Sequence, residues 1–201
     1  MKCTVALLCT FGLTLGLASS AIAASVKQRV SYFPIYGNTL EKLEASMLKN
    51  GPHFNESASG HPGAATVTFD GVVSYKPTER GCVIDNADFS LVVELSLPKW
   101  TNRSGASEET IFLWETFERD VVRHEMHHAD IARKWVTKLE MAVRNSSAAP
   151  DCETLENAVH RTSERYLKWH EDEQRDYDRK EFREMNLRLK RALRDRLRAG
   201  D

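Results

Sequence analysis

The spacing of hydrophobic residues changes along this chain, and each change marks an element. Residues 26–36 mix β-branched and aromatic side chains with polar ones, which predicts a strand. Leu40, Leu43, Met47 and Leu48 then recur at helical spacing, between a Gly37-Asn38-Thr39 turn that can cap a helix and a Gly51-Pro52 stop. Residues 66–75 and 82–97 predict two strands around a turn at 77–81. In the second strand Phe89, Leu91, Val93, Leu95 and Leu97 alternate with other residues, so one face is expected to be buried. Segments 52–64 and 98–107 read as loops, and Ser107 is a candidate N-cap.

From 108 to about 145 there is no Pro or Gly. Ile111, Trp114, Phe117, Val121, His124, His128, Ile131, Trp135 and Leu139 fall on one broad stripe at three- and four-residue spacing, which predicts one long helix, with a break near its middle left open. A connection at 146–150 leads to Asp151, a plausible N-cap for a last helix running through most of 152–199. The expected fold class is α+β: a small antiparallel sheet packed on the long central helix, with a long charged C-terminal helix returning to it.

Charge refines this picture. The 201 residues carry 28 Lys+Arg against 29 Asp+Glu, which argues against a generally basic nucleic-acid binder. The charges concentrate at the rear, where 151–201 holds 13 acids and 13 bases. Within it, 186–201 has six bases to two acids, read here as a solvated helix surface, with contact to anionic lipid or a partner as the alternative.

The first residues read as an address. A basic Met1-Lys2 start, an apolar run over 5–17 and Ala21-Ile22-Ala23 predict a signal peptide at 1–23, cleaved before Ala24. The run is too short to span hydrocarbon, so no stable membrane insertion is expected after cleavage. The protein is then periplasmic or secreted. Cys3 and Cys9 leave with the signal, and the remaining Cys82 and Cys152 most simply form one disulfide in an oxidising compartment.

The chemistry concentrates in Arg123-His124-Glu125-Met126-His127-His128, which contains H-E-x-x-H. On a helix, residues four apart share a face, so His124 and His128 can offer imidazole nitrogens to one Zn2+ ion. Glu125, beside the first ligand, is placed to take a proton from a water that the ion activates. With seven His in the chain, random placement gives about 0.02 such matches. His127 is read as supporting or exposed.

These residues, with their surroundings, resemble a family. Tyr36-Gly37-Asn38-Thr39, Gly51-Pro52, Gly81-Cys82-Val83, Leu97-Pro98-Lys99-Trp100, Trp114, the histidine motif, Cys152 and Tyr177-Asp178 are similar in order and spacing to the predicted secreted zinc-dependent proteases grouped as domain of unknown function 922. The resemblance covers most of 30–178 and implies a metallopeptidase acting on a peptide or protein substrate. That family tends to follow Tyr-Asp with a Thr and then a His-Gly pair. This chain has Arg179-Lys180-Glu181-Phe182-Arg183-Glu184 instead.

A catalytic zinc ion normally has three protein ligands. Asp178 is the first choice for the third, followed by His170 and Glu181, and Tyr177 is a candidate hydrogen-bond donor to an oxyanion. The expected organisation is a zincin-like domain over 24–182 and a charged helical extension over 183–201. The expected function is zinc-dependent peptide hydrolysis. The alternative is a non-catalytic periplasmic module that binds metal or a partner protein.

Overall fold

The alternation in the second predicted strand organises the molecule. In a computed structural model describing residues 24–53 and 62–199, that strand is β3 (Gly81–Trp100), the centre of a three-stranded sheet ordered β1-β3-β2. Phe89, Leu91, Val93, Leu95 and Leu97 all point into the core, as their spacing requires. The signal-peptide segment and most of the loop around His61 lie outside the described residues.

The sheet is mixed rather than antiparallel. β2 (Ala64–Thr78) pairs antiparallel with β3, from Ala64 opposite Ser96 to Thr78 opposite Gly81. β1 (Ser25–Ile35) pairs parallel with the other edge of β3, from Ser25 opposite Ser90 to Ile35 opposite Trp100. The reason is topological. A hairpin fixes neighbouring strands as antiparallel, but between β1 and β3 the chain passes through α1 (Leu40–Asn50) and β2, a crossover long enough to return it in the same direction. Strand patterning alone does not reveal that direction.

α2 runs unbroken from Glu108 to Arg144, capped by the Ser107 hydroxyl accepting from the Thr110 amide at 3.1 Å. The buried face is offset from the predicted stripe, with which it shares Trp114, Val121, Ile131 and Leu139. Val121, Glu125, Ala129, Ala132, Val136 and Val143 are buried, and the apolar ones join the core built on β3. His124, His128 and Trp135, about a quarter of a turn away, face α3 (Cys152–Ala199). Asp151 caps α3, accepting from the Thr154 amide at 2.7 Å.

α2 and α3 run antiparallel over almost the whole length of α2. Trp135 meets Trp169, His128 meets Gln174, Arg123 meets Glu181, Asp120 meets Arg188, and Phe112 meets Arg196. α3 is continuous through residue 183, so the expected extension is the end of one helix lying back along the start of α2.

Cys82 and Cys152 form a disulfide, with Cα atoms 5.0 Å apart and 70 residues of separation, tying β3 to the start of α3. Beside it, Cys82 and Ala149 exchange backbone hydrogen bonds of 2.8 and 3.0 Å. Gly81 makes this approach possible: its φ is +127°, and a Cβ there would stand 2.0 Å from the Ala149 carbonyl oxygen.

Candidate metal centre

Each element contributes to the site through its own periodicity. On α2, His124 and His128 are one helical turn apart, and their Nε2 atoms stand 3.0 Å from each other. From α3, Asp178 Oδ1 lies 3.4 Å from His124 Nε2 and 2.9 Å from His128 Nε2. Ligands held tetrahedrally at about 2.0–2.1 Å from an ion are about 3.3 Å apart, so this triangle of donors fits one small cation.

Glu125 sits on the sheet-facing side of α2, one residue round from His124, and is only 5% exposed. One ligand atom each from His124, Glu125 and His128 lie within 4.8 Å of one another, so this group could hold a metal. Burial raises the pKa of Glu125, an effect partly offset by the adjacent histidines. Gly63, just before β2, closes over it. A Cβ on Gly63 would stand 2.9 Å from Glu125 Oε1 and 2.8 Å from Val121 Cγ1.

A row on α3 at four-residue spacing supports the histidines. Gln174 Oε1 accepts from His128 Nδ1, while Gln174 Nε2 donates to the His128 backbone carbonyl at 3.1 Å and to His170 Nε2 at 2.9 Å. This assigns the proton of neutral His128 to Nδ1 and leaves the Nε2 lone pair facing Asp178 and His124. The H-E-x-x-H motif does not point to Gln174. Its signal was the spacing His170, Gln174, Asp178, one face of a helix.

The other candidates take different places. His170 is buried with its ring edge-on to Phe69 at 4.8 Å, and burial lowers its pKa; it bonds Gln174 and stays outside the triangle. Glu181 is held by Arg123 and Arg188, at 2.6 Å from each. Burial opposes its charge, but these two guanidinium groups push its pKa down to about 2. Its oxygens are therefore committed to an ion cluster that also includes Asp120, 3.1 Å from Arg188.

The Tyr177 ring packs against the histidines of α2. The ring stacks on His124 with centroids 5.1 Å apart and an interplanar angle of 23°, and touches His127 at 4.1 Å. The hydroxyl, expected to face an oxyanion, is buried without a hydrogen-bond partner among the described residues. Burial, followed by the Glu181 charge, pushes its pKa up to about 12. His127 is exposed and lines, with Tyr177, Trp135 and Trp169, a cleft of about 620 Å³ along the outer side of α2 and α3.

In the metal-free protein, burial works against charge on both His128 and Asp178, but their mutual contact prevails. It raises the pKa of His128, helped by Gln174, and it adds to the larger effect of His124 in lowering that of Asp178.

Fold and site together define an α+β domain with a candidate metal centre at the junction of two antiparallel helices and a sheet edge. The chain belongs to the family described as "Bacterial protein of unknown function (DUF922)", whose model matches residues 30–184. No curated protein and no solved structure matches the chain. The family description assigns no activity, so the chemistry is argued from the site itself.

Proposed function

We propose that the protein is a zinc-dependent peptidase, with one ion held by His124, His128 and Asp178 and with Glu125 as its general base. The observation carrying this reading is the donor triangle of 3.0, 3.4 and 2.9 Å beside a buried carboxylate that makes no ion pair with any described Lys or Arg. Two imidazoles and one carboxylate are a donor set suited to catalytic zinc, which leaves a position open for water or substrate.

When bound, zinc lowers the pKa of water and polarises a carbonyl group. The residues do the rest. Glu125, its pKa raised by burial, accepts a proton from the attacking water and passes it to the leaving amine. Asp178 would supply one negative charge to the site. Gln174 fixes the His128 tautomer, and the Tyr177 ring holds the plane of His124. A purely structural metal site has no need of a buried acid next to its first ligand, which favours hydrolysis over a non-catalytic metal-binding or partner-binding module.

The disulfide and the apolar start of the sequence support action outside the cytoplasm, in the periplasm or as a secreted protein. No helix among the described residues is long and apolar enough to cross a membrane. The test is cleavage of a broad peptide mixture by zinc-loaded protein. Cleavage should be abolished by a chelator and by Glu125→Gln, with zinc content retained in that variant. Absence of cleavage by fully loaded wild-type protein would transfer the site to the non-catalytic reading.

A further inference from the structure

From Lys168 onwards, the bases of α3 are either held by a partner or left without an ion pair among the described residues. Lys168 and Arg175 both reach Asp172, and Arg179 pairs with Asp176. Arg188 and Arg196 turn inward, onto Asp120, Glu181 and the Phe112 ring. Lys180, Arg183, Lys190, Arg191, Arg194 and Arg198 do neither: they are exposed and make no ion pair with any described residue.

Helical geometry aligns those six. At about 100° per residue they fall in a sector of about 100°, running over about 27 Å of helix. Between 180 and 198 that sector contains no acid: Glu184 and Asp195 lie at its margin, and Glu184 is turned to Arg188 at 3.5 Å. Near its middle stands Leu187, 57% exposed. The opposite side of the helix carries Asp178, Glu181 and Arg188, which face α2. The chain as a whole has a formal charge of -1, so the stripe reflects segregation of charge rather than general basicity.

We propose that this stripe adsorbs the protein reversibly onto an anionic lipid surface, with α3 lying along the headgroup plane. A straight stripe confined to one sector is tangent to a plane, which a bilayer offers along its whole length. Lipid also supplies both chemistries that the stripe presents, negative charge for the six bases and an apolar boundary for Leu187. One exposed leucine cannot anchor a protein, so the attachment is electrostatic and falls with salt. The metal centre faces the other way and stays accessible, and the proposal does not depend on hydrolysis.

The test is co-sedimentation of chain 24–201, which contains every described element, with vesicles of phosphatidylcholine and phosphatidylglycerol in equal parts. Binding should be absent on phosphatidylcholine alone. It should fall more than about tenfold when salt rises from about 0.1 M to about 1 M, which shortens the screening length from about 10 Å to about 3 Å. The variant Arg183→Gln, Lys190→Gln, Arg194→Gln, Arg198→Gln should bind at least about 100-fold more weakly, with an unchanged circular dichroism spectrum. Should that variant unfold, the salt series on the wild-type chain decides alone. Equal binding to neutral vesicles, salt-insensitive binding, unchanged binding by the folded variant, or capture of a soluble polyanion such as DNA without vesicle binding would overturn the proposal.

Discussion

Gln174 grips His128 at both ends. Its Oε1 accepts from the imidazole Nδ1, and its Nε2 donates to the backbone carbonyl of the same residue at 3.1 Å. One amide thereby fixes the ring's rotation, its tautomer and the register of α3 against α2 at the level of the site. Removing such a partner from a ligating histidine typically weakens metal binding by 10–100-fold. Gln174→Leu should weaken zinc binding by about that factor in calorimetric titration while the helices remain folded. An unchanged affinity would mean that His128 needs no such orientation.

Asp178 and Glu181 lie three residues apart on α3 and should respond in opposite ways. Asp178→Ala removes a corner of the donor triangle and should weaken zinc binding by more than about 100-fold, beyond the loss in the Gln174 variant. Glu181→Ala should keep zinc but lower stability by about 1–2 kcal/mol, because Arg123 and Arg188 lose their shared partner while staying partly hydrated. Zinc content and melting temperature of the two variants provide the check. Loss of zinc from the Glu181 variant would assign the third ligand to the wrong residue.

Gly63→Ala should harm catalysis more than binding. The new Cβ would meet Val121 Cγ1 at 2.8 Å and Glu125 Oε1 at 2.9 Å, so both side chains must move, while its nearest contacts include none of His124, His128 and Asp178. A displacement of about 1 Å at a reacting group can cost about 100-fold in rate. The expected result is a fall of that order in peptide cleavage with normal zinc content. Equal losses of zinc and activity would show damage to the whole site instead.

The pH response follows from the pair of His128 and Asp178. The ordinary pKa of His128, 6.5, is raised in the fold, so its contribution is full below 6.5 and is lost as pH rises through the folded value. The ordinary pKa of Asp178, 3.8, is lowered, so its contribution is present above 3.8 and is lost as pH falls through the folded value. Metal-free protein should gain most from this pair between about pH 4 and 6.5. Zinc competes with the proton on His128, so affinity should rise up to about tenfold per pH unit below the raised pKa and level off above it. Zinc titration across this range measures the slope; a flat profile would remove His128 from the ligand set.

Breaking the disulfide should loosen the join between sheet and helices. Closing a loop with 70 residues of separation limits the unfolded chain by roughly 4 kcal/mol in the entropic account. Cys82→Ser with Cys152→Ser should lower stability in denaturant melts by up to that amount. The Cys82–Ala149 backbone bridge remains to hold the corner in place. A loss below about 1 kcal/mol would indicate that this bridge and Leu155 packing suffice.

The sequence by itself determined the local structure. Alternation from Phe89 to Leu97 specified the buried face of β3, and Thr39, Ser107 and Asp151 marked three helix starts through their side-chain oxygens. It also placed His124 and His128 on one face, because a helical turn is a local property. Only the tertiary structure decided how those pieces meet. The parallel pairing of β1 depends on a crossover, and the burial of Glu125 depends on Gly63, 62 residues earlier in the chain. The acids and histidines of α3 looked alike in sequence because each is a polar residue on a charged helix. Packing against α2 separated them: Asp178 meets the two Nε2 atoms, His170 retreats against Phe69, and Glu181 is taken by two arginines. Periodicity fixes the direction in which a side chain leaves its own helix, whereas the identity of its partner depends on the axial register between two helices, which no single segment encodes.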